Sequence, residues 1–165
     1  MNTLLKRLFL SAAALLSACA SFSSVQPGQS AAEVEKLLGA PTEKRSAAGG
    51  DQTWEYNRLP EGRQIWMVTF GADSRVKLIK QSLTEENFSN IRQGQSSRDE
   101  VLRLLGKPSS RNLFDRTGEE VWEYQFYSDS WRMLLDVYFG AADGVVKRYT
   151  TMLDKAHHYS PVESN

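Results

Sequence analysis

One cysteine, Cys19, and two histidines, His157 and His158, are all the sequence holds of either residue. A single thiol excludes an intrachain disulfide, so a core must hold the fold. The two histidines are adjacent, which points their side chains apart on a helix or strand, and no cysteine or ordered acidic cluster accompanies them; no metal is expected there. Charge of one sign is not in excess, with 20 basic and 20 acidic residues. That removes the electrostatic footprint of a nucleic-acid binder. No Gly-x-Ser-x-Gly elbow and no Gly-x-x-x-x-Gly-Lys loop occurs, so neither an activated serine nor a phosphate cradle is signalled. The apolar stretch Leu8 to Leu16 is too short to span a bilayer as a helix. With 41% hydrophobic and 24% charged residues, the rest is ordinary globular chain, enough for one domain or two small ones.

What the chain does contain is a repeat. Gly28-Gln29-Ser30-Ala31-Ala32-Glu33-Val34-Glu35-Lys36-Leu37-Leu38-Gly39-Ala40-Pro41 returns as Gly94-Gln95-Ser96-Ser97-Arg98-Asp99-Glu100-Val101-Leu102-Arg103-Leu104-Leu105-Gly106-Lys107-Pro108. Ser30 with Glu33, and Ser97 with Glu100, have the spacing of a capping box. Val34, Leu37 and Leu38, like Val101, Leu104 and Leu105, fall on one helical face. Gly39 and Gly106 are placed to end the helices in a left-handed conformation, and Pro41 and Pro108 forbid continuation. Phe22-x-x-Val25 before the first copy matches Phe88-x-x-Ile91 before the second, where Thr84 caps a short preceding helix.

The match continues downstream. Polar loops are expected from Thr42 to Asp51 and from Ser109 to Glu119. Trp54-Glu55-Tyr56 then pairs with Trp122-Glu123-Tyr124 as a first strand, and Ile65–Gly71 with Leu134–Gly140 as a second. Third strands run from Val76 to Leu83 and from Val145 to Leu153. Short sequential turns make each sheet antiparallel, and eight-residue helices need a sheet to pack on. The expected fold class is α+β: two tandem helix–helix–three-strand repeats, 19–83 and 84–153, with a loose tail at 154–165.

Residues 1–18 read as a leader, with Lys6 and Arg7 before an apolar run and small residues after it. Leu16-Ser17-Ala18-Cys19 resembles the lipobox of bacterial lipoprotein precursors, which implies cleavage before Cys19 and its acylation. Ala20, rather than aspartate, follows, and by the same resemblance the outer membrane is implied. The helix motif, Trp-x-Tyr and the phenylalanine-bearing strand, repeated behind a lipobox, are similar to the SmpA/OmlA (BamE-like) outer-membrane lipoprotein family. The resemblance covers Phe22 to Leu153 and implies short helices on an antiparallel sheet and a non-enzymatic envelope role, its best-known member assisting β-barrel insertion. Two modules in one chain instead resemble the arrangement of the β-lactamase inhibitory protein.

Candidate residues follow from strand alternation. Trp54, Tyr56, Trp122 and Tyr124 form either a core under the helices or an aromatic binding face. Glu55 and Glu123 recur once per repeat, as solvent-facing strand residues do and a catalytic acid–base pair does not. Ile65, Met67, Leu134 and Tyr138 lie opposite the phenylalanine-bearing face. Apolar residues there mean a protein partner or packing between the repeats. The expected function is a lipid-anchored binding or scaffold module on the periplasmic face of the outer membrane. It contacts membrane through Cys19 and a periplasmic or outer-membrane protein through Ile65, Met67, Leu134, Tyr138, Glu55 and Glu123, with no cofactor. The alternative is an inhibitor of a periplasmic enzyme that presents loop-tip residues such as Asp51 or Trp131.

Overall fold

The two helical motifs form because each carries its own start and stop. A computed structural model describes residues 21–155; the leader, Cys19, the two histidines and most of the expected tail lie outside these. Helix α1 spans Ala31–Leu38, and its N-cap Ser30 exchanges hydrogen bonds with Glu33: Glu33 N donates to Ser30 Oγ at 3.3 Å and Ser30 N to Glu33 Oε2 at 2.7 Å. Helix α2 spans Glu85–Phe88 behind the cap Thr84, and helix α3 spans Arg98–Leu105 with the same reciprocal box between Ser97 and Glu100. In the first half, the counterpart of α2 is one 3-10 turn, Phe22–Ser24.

Gly39 and Gly106 do have positive φ, 80° and 92°, but ψ is −172° and −169°. This is an extended conformation open essentially to glycine alone, not the left-handed helical one expected. Pro41 and Pro108 lie two residues on and require an extended residue before them, so the chain leaves each helix sharply.

Each half contains a four-stranded antiparallel sheet, in the orders β1-β2-β3-β4 and β5-β6-β7-β8. The strands are β1 Glu43–Ser46, β2 Gln52–Asn57, β3 Ile65–Phe70, β4 Val76–Gln81, β5 Ser110–Phe114, β6 Glu119–Ser128, β7 Trp131–Gly140 and β8 Val146–Leu153. The three-strand expectation is therefore corrected. β1 and β5 arise within the stretches read as polar loops. They are edge strands, joined to their sheets through the backbone and mostly exposed on both faces, so their side chains need no apolar alternation.

The halves repeat each other in detail. Trp54 Nε1 donates to Gln52 and Trp122 Nε1 to Glu120, both at 2.6 Å. Lys44 lies over the Trp54 ring and Arg111 over the Trp122 ring. Trp54 packs on Phe70 and Trp122 on Phe139, each at 4.6 Å between centroids. Tyr56 and Tyr124 donate their hydroxyls to the carbonyls of Gly39 and Gly106. Burial pushes the Tyr56 phenol up to about 12 and Tyr124 further in the same direction, so both remain donors. Of the two readings for these aromatics, the core one is observed: all four are buried.

One core lies under α1, built from Val25, Val34, Trp54, Tyr56, Val68, Phe70 and Val76. The second, around α3 and the sheet β5–β8, also takes in Ile65 and Met67 from the first half. The halves thus share a core at their junction. Leu105 is fully buried there, whereas its counterpart Leu38 is half-exposed. Leu105→Ala should cost about 2–5 kcal/mol, and Leu38→Ala clearly less, in urea unfolding of the two variants. Equal losses would contradict the burial difference.

Candidate docking surface

A sheet residue's neighbour two positions away shares its face. On β2 and β3 the face opposite the α1 core carries Glu55, Asn57, Ile65 and Met67, with Glu55 across from Met67 and Asn57 across from Ile65. This face receives the C-terminal end of α3. A Cβ on Gly106 would stand 2.8 Å from Ile65 Cγ2 and 3.0 Å from Met67 Cε and Glu55 Cδ. Lys107 N donates to Glu55 Oε1 at 2.9 Å, and Asn57 Nδ2 donates to the Lys107 carbonyl at 2.7 Å. Arg45 pairs with the other Glu55 oxygen at 2.7 Å. Nearby, Ser82 Oγ donates to the carbonyls of Leu105 and Ile65, and Asn87 Nδ2 to those of Ser82 and Leu104. Two free carbonyls of the last helical turn, those of Leu104 and Leu105, are satisfied here.

Ile65 and Glu55 are 0% exposed and Met67 is 1% exposed. As open docking residues these three are therefore corrected: the packing alternative holds for this half. The reason is the short link from β4 to α2, which folds the second half's helices back onto the first sheet. Glu55 is likewise no solvent-facing strand residue.

The other three candidates stand elsewhere. On the second sheet the face turned away from α3 presents Glu123, Gln125, Leu134, Asp136, Tyr138 and Thr150, all half-exposed. Glu123 lies directly across from Asp136, and Gln125 across from Leu134. Like charges in that position disfavour ionisation. Partial burial, then Asp136 and Asp154, hold the Glu123 carboxyl above its ordinary value, against the pull of Arg63. Partial burial raises Asp136 too, with a hydrogen bond from Tyr138 opposing. Arg148 lies 3.7 Å over the Tyr138 ring and pairs with Glu119, closing one side of the surface.

At the other side the β2–β3 loop reaches across. Arg63 forms a buried ion pair with Asp154 and donates to the Met133 carbonyl. A cavity of about 300 Å³ opens there, lined by Pro60, Glu61, Arg63, Gln125 and Arg132. Beyond it, at the β6–β7 tip, Tyr127 and Trp131 are exposed, Trp131 to 57%. Asp51 pairs with Lys77 on the first sheet, away from this tip.

Asp136 and Gln125 were missed as site residues. The available signal was alternation: Asp136 interrupts an apolar strand on its non-core face, and Gln125 follows Glu123 by two. Their opposition to Glu123 and Leu134 is a matter of register, which alternation does not supply.

The raised carboxyls predict a pH dependence. A carboxyl whose folded-state pKa is raised contributes stability below the ordinary carboxylate range and loses it as pH rises through the folded value. Asp136→Asn should therefore raise the melting temperature at neutral pH, and the gain should vanish by about pH 3, where the unfolded carboxyl is itself largely protonated. A gain that persists in acid would point to a cause other than ionisation.

Residues 81–148 match the family described as "Outer membrane protein assembly factor BamE domain". No curated protein matches the sequence. Among solved structures, the chain is similar to a DUF4309 family protein from Bacillus subtilis, at 14% identity over 76% of this chain and 78% of that one. It is also similar to a putative beta-lactamase inhibitor protein from Streptococcus mutans, at 17% identity over 76% and 83%. An extracellular protein containing an SCP domain from Bacillus anthracis matches at 13% identity over 79% and 45%. The TM-score is 0.30 in all three cases.

Proposed function

We propose, from the place of residues 81–148 in the BamE domain family, that this chain is an accessory module of the outer membrane that works by docking another protein. The resemblance to the SmpA/OmlA family rests on that match together with the repeated motif. The family's description, an assembly factor for outer membrane proteins, supports a role in that process and no catalytic one. In this reading residues 1–18 are removed, acylated Cys19 holds the chain on the periplasmic face, and 19–83 and 84–153 are its two modules. Among the described residues, no helix is long and apolar enough to cross a membrane.

The observation that carries the docking reading is the half-exposed outer face of β6 and β7, which lies within the matched residues. It combines apolar Leu134 and Tyr138 with the carboxyls of Glu123 and Asp136. A partner that covers Leu134 and Tyr138 removes apolar surface from water, and a cation on that partner would relieve the Glu123–Asp136 repulsion.

A photoreactive residue at Leu134 or Tyr138, introduced into the full chain in cells, should cross-link to a protein of the outer membrane. Tyr138→Asp should remove that partner from pull-downs while thermal melting stays nearly unchanged. Met67→Asp should instead unfold the protein, because it places a charge inside the shared core. Intact folding of Met67→Asp, or an unchanged partner list for Tyr138→Asp, would refute this assignment of faces. Cys19→Ser should abolish palmitate labelling and release the protein from membranes; continued labelling would overturn the anchor.

A second reading, inhibition of a periplasmic enzyme, is favoured by one observation, the exposed aromatics Tyr127 and Trp131 at a hairpin tip. On that reading Trp131→Ala removes the partner and Tyr138→Asp leaves it bound.

A further inference from the structure

The internal repeat gives each half two docking elements, and only one pair is used. The first sheet offers a receiving face, and α3 with Gly106 and Lys107 fills it. By the same repeat, α1 with Gly39 and Ala40 is an equivalent inserting end, and the outer face of the second sheet is an equivalent receiving face. The correspondence is specific. Glu123 matches Glu55, Gln125 matches Asn57, and Leu134 matches Ile65, each at the same register positions. Asn57 Nδ2 donates to Glu55 at 3.2 Å, and Gln125 Nε2 donates to Glu123 at 2.9 Å. In the first half this amide–carboxylate pair grips the backbone of Lys107. In the second half the Gln125 Oε1 atom is buried without a hydrogen-bond partner.

The inserting ends differ in the complementary way. Leu105, Gly106 and Pro108 are buried, whereas Leu38 and Pro41 are only half-covered and Gly39 and Ala40 are exposed. Nothing lies within 4 Å of where a Gly39 Cβ would stand. Both ends have the same backbone conformation and the same tyrosine hydroxyl holding the glycine carbonyl.

The geometry points to head-to-tail self-association: the α1 end of one copy docks on the outer face of the second sheet of another, as α3 docks on the first sheet within the chain. Ala40 N–H would take the place of Lys107 N–H on the carboxylate. One position departs from the template, where Asp136 replaces Met67, and it favours a cationic visitor. Exposed Lys36, in the last turn of α1, supplies the opposite charge. The contact uses two different patches, so it is heterologous and extends beyond a dimer unless the rotation closes. A shared lipid anchor would concentrate copies in one plane and strengthen a weak contact by effective concentration.

This inference rests on the docking reading of the same face, and one experiment separates the two. The full chain carrying the photoreactive residue at Leu134 is cross-linked in cells, and the adducts are mapped by mass spectrometry. The expected product is a chain-to-chain adduct landing between Lys36 and Thr42. Lys36→Glu should lower its yield by about tenfold, the equivalent of 1.4 kcal/mol, and Lys36→Glu combined with Asp136→Lys should restore it, with melting curves confirming folded protein throughout. Adducts to a different protein alone would overturn self-association and leave the docking reading standing. No adduct of either kind would overturn both, and a self-adduct insensitive to Lys36→Glu would overturn this pose.

Discussion

The buried carboxylate of Glu55 is the contact on which the arrangement of the two halves depends. It accepts the Lys107 backbone N–H from the second half and pairs with Arg45 of the first. A carboxylate removed from water is tolerated only when it is paired and hydrogen-bonded, and removing a partner leaves the charge stranded at a cost of several kcal/mol. Glu55 therefore specifies where α3 ends. Only a chain that turns away just after the helix can present that N–H, and Gly106, in a conformation essentially closed to other residues, makes the turn. Ile65 and Met67 add the apolar contact area around this polar centre.

From that contact the layers follow. α1 covers one face of the first sheet, the α2–α3 end covers part of the other, and α3 in turn lies on the second sheet. The outer face of the second sheet comes last in this stack, and the β2–β3 loop reaches across only one side of it. Its half-exposed residues are the consequence of position, since the counterparts Glu55 and Asn57 hold the backbone of Lys107.

Features written locally were legible in the sequence. The capping boxes, the glycines that stop α1 and α3, and the aromatic core strands each depend on residues a few positions apart. The edge strands β1 and β5 were not legible, because a strand that contributes mainly backbone to its sheet has no side-chain period to read. The fate of Ile65 and Met67 was not legible either. Their alternation is identical whether the face meets a partner or the chain's own second half, and nothing local encodes which. Leu134, Tyr138 and Glu123 kept their place on an accessible face because α3 packs on the other side of their sheet. Asp136 emerged only once the β6–β7 register set it against Glu123.

The interlock at Glu55 also has a temporal side. A chain is made from its N-terminus, at roughly 5–20 residues per second. Met67 and Ile65 are therefore synthesised about 40 residues before Lys107, the group that covers their face. For roughly 1–5 s at that rate, counted from Gln81 at the end of β4, the first half exists as a sheet with one finished core and one bare apolar face around a carboxylate paired only with Arg45. The nascent first half is thus a sticky intermediate by construction, and its exposure ends only when the second helix motif arrives.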